Sequence, residues 1–117
     1  MSEKLLMLDD WIPAACTLPT VELPLRRTEF DDLFSADVID VARATSGSLR
    51  LELDPTPAVA ARAAGLAAKE TSCCSFFTFA LTMTGGTIVL TVSTELHHEP
   101  ILDALASRAE SMARGLQ

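Results

Sequence analysis

The chain has 117 residues, 49% hydrophobic and 21% charged, which is the size and balance of one compact domain rather than two. Nine Lys and Arg stand against 16 Asp and Glu, a net charge of −7, and the only basic cluster is Arg26-Arg27. Phosphate binding needs a concentrated cationic face, so nucleic acid is excluded as the main partner, and an anionic membrane surface is disfavoured for the same reason. There is no apolar run of roughly 18 residues. The opening MSEKLLMLDDWIPAAC carries acids where a signal peptide would be uninterruptedly apolar. A cytoplasmic location without a membrane partner is therefore expected.

Residues 1–27 hold Pro13, Pro19 and Pro24 and little periodicity. They read as an extended arm laid on the domain by Trp11, Ile12, Leu18 and Leu25, with the α+β domain occupying 28–117. Thr28 looks like an N-cap, with Glu29 and Asp31 in the first turn where the helix dipole favours acids. Phe30, Leu33, Phe34, Val38, Val41 and Ala42 then recur at helical spacing up to Ser46-Gly47, which predicts one amphipathic helix.

SLRLELD (48–54) alternates Leu49, Leu51 and Leu53 with Arg50 and Glu52, the period of a half-buried strand. Pro55-Thr56-Pro57 ends it and offers an N-cap followed by proline at the first helical position. The alanine-rich run from Ala58 has high helix propensity, with Val59, Ala63, Leu66 and Ala67 on one stripe, and reads as a helix to about Cys74. In FFTFALTMTGGTIVLTVST, Gly85-Gly86 forms a two-residue hairpin loop, since glycine accepts positive φ without strain. That loop predicts the pairs Met83–Ile88, Leu81–Leu90 and Phe79–Val92 on one face. Pro100 opens a last helix capped by Glu99, with Leu102, Leu105, Ala109 and Met112 inward and Gly115 ending it.

The order is thus arm, α-β-α-β-β-α, a single domain with helices on one face of a short, mostly antiparallel sheet. A three-stranded sheet has exposed edges, so pairing with a second copy is expected. No internal repeat is visible in the residues.

The chain contains three cysteines, Cys16, Cys73 and Cys74. The adjacent pair cannot close an ordinary disulfide without distorting the peptide and the S–S torsion, so reduced thiols are expected. Extending the stripe of the second helix places Glu70, Cys73, Cys74 and Phe77 on its buried side. A glutamate there is costly unless paired, for instance with Arg43 or Arg50, or protonated, or bound to a cation. The hairpin's second strand returns to the edge where that helix ends, and His97 and His98 follow it. His98 falls on the inward stripe of the last helix and His97 does not.

Thiolate, imidazole and carboxylate together suit a soft or borderline ion such as zinc, copper(I), mercury(II) or trivalent arsenic. If the arm crosses the same edge, Cys16 adds a third thiolate. Two other readings compete: a cysteine-dependent reductase or lyase using Cys73 or Cys74, and a homodimeric interaction domain whose cysteines are core. Against a nucleophile stands the negative end of the helix dipole, which disfavours thiolate. Phosphate loops, H-E-x-x-H and C-x-x-C are absent.

Three blocks, CTLPTVELPLRRTEFDDLF (16–34), LRLEL (49–53) and KETSCCSFFTFALTM (69–83), resemble a group of small bacterial proteins. The glutamate three before Cys-Cys, followed by paired aromatics, is similar to a module found beside or fused to MerR-type metal-responsive regulators and mercury-resistance genes. The resemblance implies a heavy-metal or metalloid thiol site, with Cys16, Cys73 and Cys74 matching the motif cysteines and Glu70 the acid. The helix-turn-helix of such regulators has no counterpart in this sequence.

Overall fold

The computed structural model describes residues 23–73, 77–95 and 98–113. The arm up to residue 22, with Trp11, Ile12, Cys16 and Leu18, lies outside the described residues, as do Cys74, His97 and Gly115. In chain order the elements are α1 (Leu23–Asp37), β1 (Val38–Thr45), β2 (Ser48–Leu53), α2 (Pro57–Cys73), β3 (Thr78–Thr84), β4 (Thr87–Ser93) and α3 (Glu99–Ala113). The strands form one antiparallel sheet in the order β1-β2-β4-β3, and the described helices pack on one face of it, giving a small α+β fold.

Local chemistry fixes the β3–β4 hairpin. Gly85 and Gly86 take φ of 57° and 81°, a turn geometry whose twist matches that of the flanking strands. Its register sets Met83 opposite Ile88, Leu81 opposite Leu90 and Phe79 opposite Val92, as the turn and the alternation require. β2 then lies along the other side of β4, with Leu53, Leu51 and Leu49 opposite Ile88, Leu90 and Val92. All six of these β2 and β4 side chains are buried in the core. Placing Ala at both hairpin glycines is expected to cost about 1–2 kcal/mol at each, since an L-residue is strained at positive φ. Urea unfolding of the double variant checks this.

The single helix expected from Thr28 to Ser46 is instead two elements. α1 starts at Leu23, before Thr28, so the arm gives up residues 23–27 to the helix and Thr28 is not its cap. Pro24 sits in the first turn, where a helix needs no N–H from that residue, and Leu25-Arg26-Arg27 are good helix formers. At Val38 the chain passes into β1 and adds a fourth strand to the sheet.

Helical spacing misled here because β1 is bulged. Val38 pairs with Leu53, but Asp40 already pairs with Glu52, so Ile39 is an extra residue and stands 59% exposed. The bulge returns Val41, opposite Leu51, to the face of Val38. Phe34, Val38 and Val41 therefore share the core at intervals a helix would also produce.

The two hairpins differ in turn geometry and in the regularity of their edge strands but share the spacing of core residues after the turn. Leu49, Leu51 and Leu53 stand to the Ser46-Gly47 turn as Ile88, Leu90 and Val92 stand to Gly85-Gly86. Each hairpin is followed by a helix, and the antiparallel contact between β2 and β4 lies at the centre of the sheet. The chain thus runs hairpin, helix, hairpin, helix after α1.

α2 begins at Pro57, where the Val59 N–H donates to Thr56 Oγ1 at 3.2 Å, the expected cap. Val59, Ala63 and Leu66 are buried along its stripe, and Leu102, Leu105 and Ala109 along that of α3. Ion pairs between distant residues tie the helices together. Arg108 donates to both oxygens of Asp31 at 2.8 and 2.7 Å, locking α3 to α1. Arg62 pairs with Asp37, which is buried, and Lys69 with Glu29 at 3.0 Å. Arg108→Ala is expected to cost about 1–2 kcal/mol, because it strands a half-buried carboxylate that accepts two charge-assisted bonds. A double-mutant cycle with Asp31→Ala measures that coupling.

Candidate functional site

α2 carries its buried stripe one position past the hydrophobic residues. Glu70, only 1% exposed, follows Val59, Ala63 and Leu66 and is among the largest fully enclosed side chains. Three residues on, Cys73 is the last residue of the helix. The chain re-emerges with Phe77 buried and set edge-on to Phe79, at a centroid distance of 6.0 Å and 71°. Phe77 thereby sits in the core at the entry to β3.

Strand register decides what lies near that link. Thr78, at the start of β3, is opposite Ser93 at the end of β4, and Ser93 is opposite Ser48 at the start of β2. The Thr94 N–H donates to the Gly47 carbonyl at 2.9 Å, closing this end of the sheet against the first hairpin turn. β4 then leads directly to the turn before α3, where the His98 N–H donates to the Glu95 carbonyl at 2.9 Å. The C-terminus of α2 and the N-terminus of α3 thus lie at the same end of the sheet. His98 is half-buried and its Nδ1 is enclosed.

The arginines considered as partners for Glu70 are used elsewhere. Arg43 pairs with Asp103 at 2.8 Å and donates to the carbonyls of Thr45 and Ser46 at 3.1 and 2.6 Å. Arg50, between Leu49 and Leu51 in β2, is exposed on the sheet face opposite the helices. Glu70 is nevertheless engaged, as is His98.

Of the residues singled out in the sequence, Glu70 and His98 have described side chains, and Cys73 is placed as the end of α2. Cys16, Cys74 and His97 lie outside the described residues. Among the described residues, no group of three or more His, Cys, Asp or Glu side chains is gathered so as to hold a metal ion. No described helix is long and apolar enough to cross a membrane.

Grooves also open elsewhere among the described residues. One, of about 620 Å³, runs between Pro55, Ala60 and the hairpin tip at Met83, at the far end of the sheet. Another, of about 570 Å³, follows the α1–α2 seam past Glu29, Arg62 and Lys69. Asp37, a buried acid held by Arg62 across 25 residues of chain, follows Phe30, Leu33 and Phe34 at helical spacing, a signal of burial that the sequence reading did not use.

Gly47 joins the turn to the candidate end of the sheet. A Cβ there would meet the Thr94 carbonyl oxygen at 2.9 Å, and that oxygen is backbone of the segment leading to His98. Gly47→Ala is expected to cost about 1–3 kcal/mol through this overpacking and to loosen the turn before α3. Hydrogen exchange at the Thr94 and His98 amides measures the second effect.

Comparison with protein-family models, with curated proteins and with solved structures finds no match for this chain. Its function is therefore argued from its own residues.

Proposed function

We propose that this chain is a cytoplasmic thiol-based binding protein for a soft metal or metalloid ion, acting in sequestration, sensing or delivery. Cys73 and Cys74 are its thiolate ligands and Cys16 the third. Glu70 and His98, with His97, supply the carboxylate and imidazole that complete or orient the site. Mercury(II), trivalent arsenic, zinc and copper(I) fit this donor set.

The observation that carries the reading is the burial of Glu70 one helical turn before Cys73. A carboxylate is not buried for packing alone, because its desolvation must be offset by charge or hydrogen bonding. Held by its own contacts one turn before Cys73, this carboxylate is placed to support an ion bound by the thiolates. The helix ending at Cys73 favours metal-assisted deprotonation over a free low-pKa nucleophile, since the negative end of its dipole opposes thiolate in the absence of a cation.

Competition titration of the reduced protein with mercury(II), arsenite and zinc tests the proposal. Wild-type protein is expected to bind one ion per chain, and Cys73→Ser/Cys74→Ser to lose that binding; equal affinity in the two proteins contradicts it. Glu70→Gln keeps the volume of the side chain but removes its charge and turns one acceptor oxygen into an NH2 donor. It is expected to weaken ion binding about 10–100-fold, as loss of a supporting carboxylate does at metal sites.

A further inference from the structure

The two edges of the sheet are built differently. β1 breaks register with β2 twice, between Val38 and Asp40 and between Arg43 and Thr45, and carries charged residues. Bulges and charges are the usual means by which an edge strand avoids pairing with another chain. β3, at the opposite edge, has neither: TFALTMT contains no charge and no proline, and pairs with β4 without a register break.

Its surroundings are neutral as well. From Thr71 to Thr94 the sequence contains no Asp, Glu, Lys or Arg, although the chain carries a net charge of −7. The α2 flank that meets Met83 at the hairpin groove continues from Ala60 through Ala64 and Ala67 to Thr71. Arg62 and Lys69 lie on the other flank, beside α1. Apolar side chains on β3 remain partly open: Phe79 and Leu81 are half-buried and Met83 is 61% exposed, while their partners Val92, Leu90 and Ile88 are buried.

We propose that β3 pairs antiparallel with β3 of a second copy about a two-fold axis at Leu81, joining two sheets into one. The strand is self-complementary in character when read in either direction. Thr78 would face Thr84, Phe79 would face Met83, Ala80 would face Thr82, and Leu81 would face itself. Such an arrangement keeps the apolar side chains on the helix face and matches Thr with Thr and an aromatic ring with Met, both favourable cross-strand pairs. Electrostatics also selects the occupant. Two strongly acidic chains repel over most of their surfaces, but a charge-free edge lets them approach, and a second copy presents the same charge-free edge. This interface is independent of ion binding.

Sedimentation equilibrium of the full chain in reducing buffer, which prevents thiol cross-linking, tests it. At about 100 µM the wild type is expected at twice its chain mass of 12.5 kDa. Met83→Lys and, separately, Thr82→Lys are expected to sediment as monomers with unchanged far-ultraviolet circular dichroism. Ile39→Lys, at the exposed bulge of the other edge, is expected to remain dimeric. A monomeric wild type would overturn the proposal, as would a dimer that survives both β3 substitutions or is lost only in Ile39→Lys.

Discussion

Replacing Phe34 by Ala is expected to lower the unfolding free energy by about 3–5 kcal/mol, and the melting temperature by on the order of 15 °C. Phe34 is fully buried, its ring 5.9 Å from that of Phe30 and tilted at 47°. It sits near the end of α1, where the chain enters the edge strand β1, so the cavity would open where a helix, a strand and the core meet. Neighbouring groups are held by the Arg62–Asp37 ion pair and by the Asp54 N–H, which donates to the Asp37 carbonyl at 2.8 Å. Little collapse is therefore available to reduce the cost. Since domains of this size are stable by only about 5–15 kcal/mol, the variant should be close to unfolding at body temperature. Ile39→Ala, five residues away but exposed, should change stability by less than about 0.5 kcal/mol. Guanidinium unfolding of the two variants separates these outcomes.

Ion-dependent stabilisation is the second large effect expected. An ion that binds the folded chain and not the unfolded one adds about 2.7 kcal/mol at a hundredfold excess over Kd, and about 4.1 kcal/mol at a thousandfold excess. Zinc is the convenient probe, because it does not oxidise thiols. The wild-type melting temperature should rise with zinc concentration, and the rise should disappear in Cys73→Ser/Cys74→Ser. Glu70→Gln should shift the same curve to higher zinc, since it weakens the site without removing its thiols. A rise of equal size in all three proteins would mean that zinc stabilises the fold from some other place.

What was legible in the sequence follows the range of the forces involved. The β3–β4 hairpin was readable because glycine turn chemistry and strand alternation are both local and agree. α2 was readable for the same reason, and its periodicity also placed Glu70 inside before any tertiary contact was known. β1 was not readable, because a bulge at Ile39 gave a strand the spacing of a helix. Pairing with Leu51 and Leu53 decides between the two, and that pairing is invisible to a local window. The Asp31–Arg108 and Asp37–Arg62 pairs escape sequence reading for a related reason, since each joins elements far apart in the chain.

The candidate site divides along similar lines. One helix stripe leads from Glu70 to Cys73, and strand register brings the approach to α3, with His98, to the same end of the sheet. Cys16 depends on where an arm without periodicity runs.

The central claim, that this chain takes up a thiophilic ion through its vicinal cysteines, is tested most directly by native mass spectrometry of the reduced protein after addition of mercury(II). The predicted spectrum shows one mercury per chain. The Cys73→Ser/Cys74→Ser protein should show no such species at the same ratio. A wild type that emerges without mercury, or a double variant that retains it equally, would contradict the account.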